Sequence, residues 1–98
     1  MVVLDFVHLA EHLKSYHLGV ENAITARNLF QFGNDRIIRL LVNKARKQGY
    51  PICSSNSGYY FAASPDDIDR TIHKFESQAM EELEIVQALK ATKINSYV

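Results

Sequence analysis

The sequence predicts a mainly α-helical protein with one small β-hairpin and a long helix at its C-terminal end. Apolar residues recur at helical spacing in three separate segments. Between the last two of these segments, two short runs of β-forming residues flank a polar turn that contains glycine. With 98 residues, 47% of them hydrophobic and 22% charged, the chain suits one small domain with an appended element.

The N-terminal part of the chain predicts two helices. The first extends from about Val3 to Tyr16, where apolar side chains form a stripe along one side, and Gly19 ends the pattern. Residues 21–24 form a short link that could add a brief edge strand. Thr25 is expected to cap a short second helix, from Ala26 to Phe32, through its hydroxyl oxygen.

A third helix is expected from about Arg36 to Gln48. Asn34 or Asp35 would be its N-cap, and Gly49 follows its end. One face is apolar and is expected to point inward, through Ile38, Leu41, Val42 and Ala45. The opposite face carries a basic stripe of Arg36, Arg39, Asn43 and Arg46, flanked by Lys44 and Lys47.

The hairpin is predicted from residues 50–54 and 59–63, which are rich in β-formers on both sides of the polar turn. Successive side chains in a strand point to opposite faces. Tyr59 and Phe61 are therefore expected to pack inward and anchor the hairpin, whereas Tyr60 is expected to face solvent.

The last predicted element is a helix of about 25 residues, roughly 38 Å long. Its start at residues 64–67 combines a Ser cap, a Pro and two acids in the first turn. We divide the chain into a body, residues 1–63, and this C-terminal helix, residues 64–98. The helix could fold back along the body, but its apolar seam favours pairing with a second copy, through Ile68, Ile72, Phe75, Ala79, Leu83 and Val86.

The order of helix, short helix, tight turn, basic helix and hairpin indicates a winged helix-turn-helix. The segment ITARNLFQFGNDRIIRLLVNKARKQGYPICSSNSGYYFAA, residues 24–63, resembles the N-terminal DNA-binding domain of biotin-repressor-type winged helices. That family typically shows a helix end of the type L-R-x-x-G-Y-x-I, which residues 46–52 resemble, and a wing of the type G-Y-x-L, which residues 57–61 resemble. The wider chain is also similar to small phage-encoded winged-helix proteins. The resemblance implies DNA binding, although the uncharged pair Asn56-Ser57 replaces a basic residue common in that wing.

The charge distribution favours a polyanionic partner despite a net charge of zero. Residues 1–63 hold seven Lys and Arg against four Asp and Glu, whereas residues 64–98 hold four against seven. The chain therefore has a basic body and an acidic tail, and a local field can steer a polyanion.

These observations predict double-stranded DNA as the partner, with Arg36 and Arg39 nearest the base edges and Lys44, Arg46 and Lys47 on phosphates. The predicted interface also includes the second helix, the turn and the hairpin, so that its full set is Thr25, Arg27, Asn34, Arg36, Arg39, Asn43, Lys44, Arg46, Lys47, Asn56 and Tyr60. A charged helix face is also common on ordinary protein surfaces. Ile37 and Leu40 lie between the two faces, where they suit thymine methyl groups or a host or phage protein partner.

Other classes of function are less well supported. His8, Glu11 and His12 match the H-x-x-E-H zinc pattern. A polar face of the first helix explains the histidines more simply, and its members are Asp5, His8, His12 and Ser15. We therefore expect no enzymatic activity, no metal and no cofactor. A lone cysteine, Cys53, fits a reducing compartment, and no segment suits a membrane span or a secretory signal. A cytoplasmic protein of a bacterium, or of a phage-infected one, is expected.

Overall fold

The computed structural model describes the backbone of residues 5–96 and the side chains of residues 5–93. It confirms the predicted fold class, a mainly helical chain with a small antiparallel hairpin and a long C-terminal helix. Two short 3-10 helices, Val20–Asn22 and Ala26–Phe32, separate the first two α-helices. The remaining elements are α1 (Phe6–Tyr16), α2 (Asp35–Lys47), β1 (Ile52–Ser55), β2 (Gly58–Phe61) and α3 (Pro65–Ser96).

The first α-helix begins at Phe6, so the predicted start at Val3 lies outside the described residues. Asp5 is the N-cap rather than a member of the polar face, because its carboxylate accepts the backbone N–H groups of Val7 and His8 at 3.0 and 3.2 Å. The ring of His8 lies 2.8 Å from the same carboxylate. These donors, first of all the backbone and ring of His8, lower the pKa of Asp5.

The hydrophobic core lies between α1, the second 3-10 helix and α2. Leu9 and Leu13 of α1 are fully buried against Leu29 and against the inward face of α2. Three of the four residues predicted for that face, Ile38, Val42 and Ala45, are buried, and Leu41 is half-buried. The helical spacing of apolar residues therefore predicted the core side of α2 correctly.

The second predicted helix is a 3-10 helix with non-helical dihedral angles at Leu29. The prediction that the Thr25 hydroxyl caps this helix is wrong. In a 3-10 turn the N–H of residue i+3 bonds to the carbonyl of residue i, and Asn28 N–H accordingly donates to the Thr25 carbonyl at 3.0 Å. The Thr25 hydroxyl instead accepts from the side-chain amide of Asn28 at 3.2 Å.

The hairpin is tighter than predicted, with a two-residue turn, Asn56-Ser57, and a register from Ile52 opposite Phe61 to Ser55 opposite Gly58. Tyr50 is not in β1, because its N–H still bonds to the helical carbonyl of Ala45 at 3.1 Å. Residue 24 adds the expected edge pairing. Ile24 and Tyr59 exchange both backbone hydrogen bonds at 2.8 Å.

The prediction that Tyr60 faces solvent is wrong, since its side chain is only 2% exposed. Tyr60 pairs with Cys53 across the hairpin, and α3 packs against β1 on that face. Tyr59 and Phe61 point to the other face and pack, half-buried, against the core. Both faces of the hairpin are thus covered, whereas the sequence-based prediction assumed that one was open.

The long helix α3 has 32 residues and is longer than predicted. Its first turn is fixed by the buried carboxylate of Asp67, which accepts the Ala63 N–H at 2.8 Å and pairs with Arg70. Asp67 and Thr71 face the body, but every described side chain from residue 76 to 93 is exposed. The helix therefore projects beyond the body, and the molecule measures 59 × 34 × 23 Å.

Candidate nucleic-acid interface

The outer face of α2 presents long polar side chains to solvent. Asn34 caps the helix as predicted, with its side-chain oxygen accepting the Ile37 N–H at 2.9 Å. This cap fixes the start of the helix, where Arg36 and Arg39 are exposed. Asn43, Lys44 and Lys47 continue the exposed face toward the C-terminal end. Burial of the opposite face is what turns this set outward.

The cations of this face are not neutralised by neighbouring acids. The ion pairs among the described side chains join Asp5 to His8 and Asp67 to Arg70, and neither pair involves α2. The ammonium group of Lys44 lies over the ring of Phe6, 5.1 Å from its centroid, and so turns toward α1. Arg36, Arg39 and Lys47 remain on the outer face.

Arg46 does not lie on the exposed stripe where helical spacing predicts it. Its side chain is half-buried, and its Nε donates to the Ile52 carbonyl at 2.8 Å. The guanidinium group also contacts the Ser54 hydroxyl at 3.4 Å and the ring of Phe75, 5.0 Å from the centroid. Burial lowers the pKa of Arg46. The helical spacing placed Arg46 on the basic stripe but gave no sign that the hairpin and α3 would enclose it.

A cleft of about 450 Å³ opens where α2, the hairpin and α3 meet. One wall is α2, through Arg39, Asn43 and the edge of Arg46. The lining contains no acidic side chain and is completed by the other two elements and the start of the second 3-10 helix, through Thr25, Ala26, Ser54, Ser55, Asn56, Gly58, Tyr59, Lys74, Phe75 and Gln78. The cleft is therefore a surface with basic, polar and apolar side chains and no acid, and it is continuous with the outer face of α2 through Arg39 and Asn43.

The structure brings part of the predicted interface together and separates the rest. Of the predicted residues, Thr25, Arg39, Asn43, Arg46 and Asn56 line the cleft. Arg27, Arg36 and Lys47 are exposed but lie outside its lining, and Tyr60 is buried beneath α3.

Sequence analysis missed Lys74 and Gln78, which α3 contributes to the cleft. They lie about thirty residues from α2 in the chain, within the tail that carries the excess of acids. The sequence offers one indication of their position, which is that both residues are polar and lie off the apolar seam of α3. The acids that follow, beginning at Glu76, do not line the cleft, so the tail leaves the basic face open.

The histidine pattern on α1 does not assemble a metal site. His8 is engaged with the N-cap Asp5, and the ring of His12 lies 5.4 Å from that of His17 and 5.5 Å from that of Phe32. Among the described residues, no group of three or more His, Cys, Asp or Glu has the geometry to hold a metal ion. Desolvation and the neighbouring His17 lower the pKa of His12.

Two further features bear on the chemistry of the chain. Cys53 is buried beneath α3, which raises the pKa of its thiol, chiefly through desolvation. In the part of the chain that the structure describes, no helix combines the length and apolar character that crossing a membrane requires.

The fold and the cleft together define a small, mainly helical protein with a basic surface between a helix and a hairpin. No protein-family model matches the chain, and neither does a curated protein or a solved structure. The resemblance to biotin-repressor-type winged helices therefore rests on residues 24–63 alone.

Proposed function

We propose that this protein is a winged helix-turn-helix that binds double-stranded DNA, with α2 as its recognition helix. The observation that carries the proposal is the acid-free cleft beside α2, whose outer face exposes Arg36 and Arg39 without an acidic partner. Binding DNA means replacing condensed counterions by Lys and Arg, and an acid within reach would compete for them. Among the described side chains, no acid forms an ion pair with a cation of this surface.

In this proposal α2 enters the major groove through its N-terminal half, where recognition helices usually contact base edges. Arg36 and Arg39 have the reach and the paired donors to bridge guanine O6 and N7. Ile37 and Leu40 are exposed beside them, and Leu40 is 57% exposed. An apolar side chain in that position suits the methyl group of thymine.

The cleft itself suits the phosphate backbone that flanks the groove. Lys74 of α3 and Asn56 of the hairpin turn approach it from two sides, and Asn43 faces it from α2. Asn56 and Ser55 can donate hydrogen bonds to phosphate oxygens even though the turn is uncharged. Lys74 supplies the charge that the hairpin lacks.

A second candidate function is binding of a protein partner through the same face. Ile37 and Leu40 are exposed, and Phe30 on the neighbouring 3-10 helix is 78% exposed. An interface built on these side chains would depend little on ionic strength, whereas DNA binding weakens steeply with salt.

A mobility-shift assay with a random duplex pool tests the leading proposal. We expect the wild-type chain to retard DNA and to select a preferred sequence, and we expect Arg36→Ala/Arg39→Ala to lose this selective retardation. Lys14→Ala, which removes an exposed cation of α1, is the control and should bind nearly as well as the wild type. Full binding by the double variant would contradict the assignment of α2. The proposal also covers the process that the protein serves, which is regulation of transcription or a step of phage or bacterial replication or recombination. The selected DNA sequence would indicate which of these it is.

A further inference from the structure

The projecting part of α3 exposes an apolar stripe that nothing in the described chain covers. Ile72 and Phe75 begin the stripe beside the body, and Ala79, Leu83 and Val86 continue it along residues 76–93. This projecting part is about 27 Å long. A single helix of that length is marginal in water, because most helical stability in proteins comes from packing of an apolar face.

The spacing of the stripe indicates the shape of what covers it. Ile68 and Ala79, Ile72 and Leu83, and Phe75 and Val86 are each eleven residues apart. Eleven residues make three turns of about 3.67 residues, close to the natural helical repeat. The stripe therefore runs almost straight along α3 and suits another straight helix rather than a left-handed supercoil.

At the end of the stripe nearest the body lies an apolar pocket of about 260 Å³ between α3 and β1. Pro51 and Ile52 line this pocket from the body, and Ile68, Ile72 and Phe75 line it from α3. Asp67 and Thr71, which face the body, lie about a quarter turn around the helix from the stripe. The exposed apolar surface of α3 therefore includes the part of the helix beside the body as well as the part that projects beyond the body.

Charge along the projecting part is divided into two halves. Residues 76–84 hold four glutamates and no Lys or Arg, whereas residues 85–93 hold Lys90 and Lys93 and no acid. On a helical projection, Glu76 and Glu82 flank opposite edges of the stripe, Lys93 lies on the side of Glu82, and Lys90 lies within the stripe, eleven residues after Ala79. The projecting part thus carries its acids near the body and its bases near the tip.

We propose that the stripe pairs with the same stripe of a second copy, with the two α3 helices antiparallel and centred between Leu83 and Val86. Antiparallel pairing about this centre brings residues 76–84 of one copy, which hold the glutamates, level with residues 85–93 of the other, which hold Lys90 and Lys93. A parallel pair would instead place the four glutamates of each copy side by side. The pairing surface adjoins the DNA-binding face at Phe75, which also lines the cleft, but the pairing is measured without DNA, so failure of either proposal is distinguishable from failure of the other.

The molar mass of the protein without DNA tests the pairing. Sedimentation equilibrium over a dilution series should give about twice the 11.2 kDa of one chain. Leu83→Glu/Val86→Glu places charges in the paired stripe and should raise the dissociation constant more than tenfold, while Ala88→Glu, on the opposite side of α3, should leave it near the wild-type value. A wild-type monomer throughout the series, or equal dissociation constants for the two variants, would overturn the proposal.

Cysteine pairing then tests the orientation. Ala79 and Lys90 lie opposite each other in the antiparallel arrangement, at equivalent places of the eleven-residue repeat. A mixture of Ala79→Cys and Lys90→Cys chains should form disulfide-linked dimers between the two variants under mild oxidation, and Ala79→Cys alone should not. Efficient linking of Ala79→Cys to itself would show parallel helices and overturn the antiparallel arrangement. The buried Cys53 is present in both variants, and the wild-type chain controls for its contribution.

Discussion

The guanidinium group of Arg46 lies over the ring of Phe75 and ties the end of α2 to α3. The same group donates to the Ile52 carbonyl, so that one side chain joins a helix, a strand and the C-terminal helix. A cation that is half-buried between three elements holds the walls of the cleft in place. Arg46 therefore stabilises the fold whether or not a ligand is bound.

We therefore expect Arg46→Ala to lower the free energy of unfolding by about 2 kcal/mol, because it leaves the Ile52 carbonyl without its donor and removes packing from Phe75. Arg36→Ala, on the exposed part of the same helix, should change it by less than about 0.5 kcal/mol. Urea unfolding followed by circular dichroism measures both. Equal stability of the two variants would show that the contacts of Arg46 contribute little.

Close approach of two backbone segments gives a second prediction. Gly58 has φ +122°, and a Cβ atom there would lie 2.2 Å from the carbonyl oxygen of Ile24. Gly58→Ala should therefore lower the free energy of unfolding by more than about 2 kcal/mol through strain and loss of the pairing with residue 24. Gly49→Ala is the matched control, because Gly49 also has a positive φ of +97° but no atom within 4 Å of its Cβ position. It should lose only about 1 kcal/mol, and a larger loss than Gly58→Ala would contradict the prediction.

Periodicity predicted the elements of this chain and the buried side of each main helix of the body, because the repeat of apolar residues along one element is local in sequence. The spacing of Ile38, Val42 and Ala45 identified the buried side of α2, and the glycine-containing turn identified the hairpin. What the sequence could not show is which surfaces meet at long range. Tyr60 was placed outward because the alternation of a strand does not reveal that α3 covers its second face.

In the candidate site, too, local spacing predicted some positions, and long-range packing determines the others. Helical spacing alone placed Arg36, Arg39 and Asn43 on one exposed face of α2. The same spacing misplaced Arg46, whose environment is set by the hairpin and by Phe75. Lys74 lines the cleft only because α3 packs against β1. Helical spacing does not predict this contact between elements that are distant in the chain.

The lowered pKa of His12 predicts a pH dependence of stability. Desolvation and His17 make protonation of His12 harder in the folded chain than in the unfolded chain, whose pKa is about 6.5. The unfolded state therefore binds more protons, and stability falls as the pH drops through that value. We expect the free energy of unfolding to fall between about pH 7.5 and 5.5, and His12→Gln to reduce the fall. Comparing urea titrations at the two pH values tests this. His73→Gln, which changes an exposed histidine of α3, is the control.

Salt dependence separates DNA binding from the protein-partner alternative. The proposed interface neutralises several phosphates, so the logarithm of the DNA association constant should fall linearly with that of the salt concentration, by about 0.9 for each phosphate contact. Fluorescence anisotropy of a labelled duplex at a series of salt concentrations measures the slope. An affinity for duplex that does not change with salt would count against the phosphate contacts.

The position of Lys74 on α3 gives the sharpest test of the cleft itself. If phosphate lies in the cleft, Lys74→Ala should weaken binding to every duplex by a similar factor of about 3 to 10 and reduce the salt slope by about one. Arg39→Ala should in addition change the preferred sequence, because Arg39 is proposed to contact bases. Lys14→Ala removes an exposed cation of α1 outside the cleft and should leave both affinity and slope nearly unchanged. An affinity for Lys74→Ala equal to that of Lys14→Ala would place the DNA backbone outside the cleft, even with α2 in the groove.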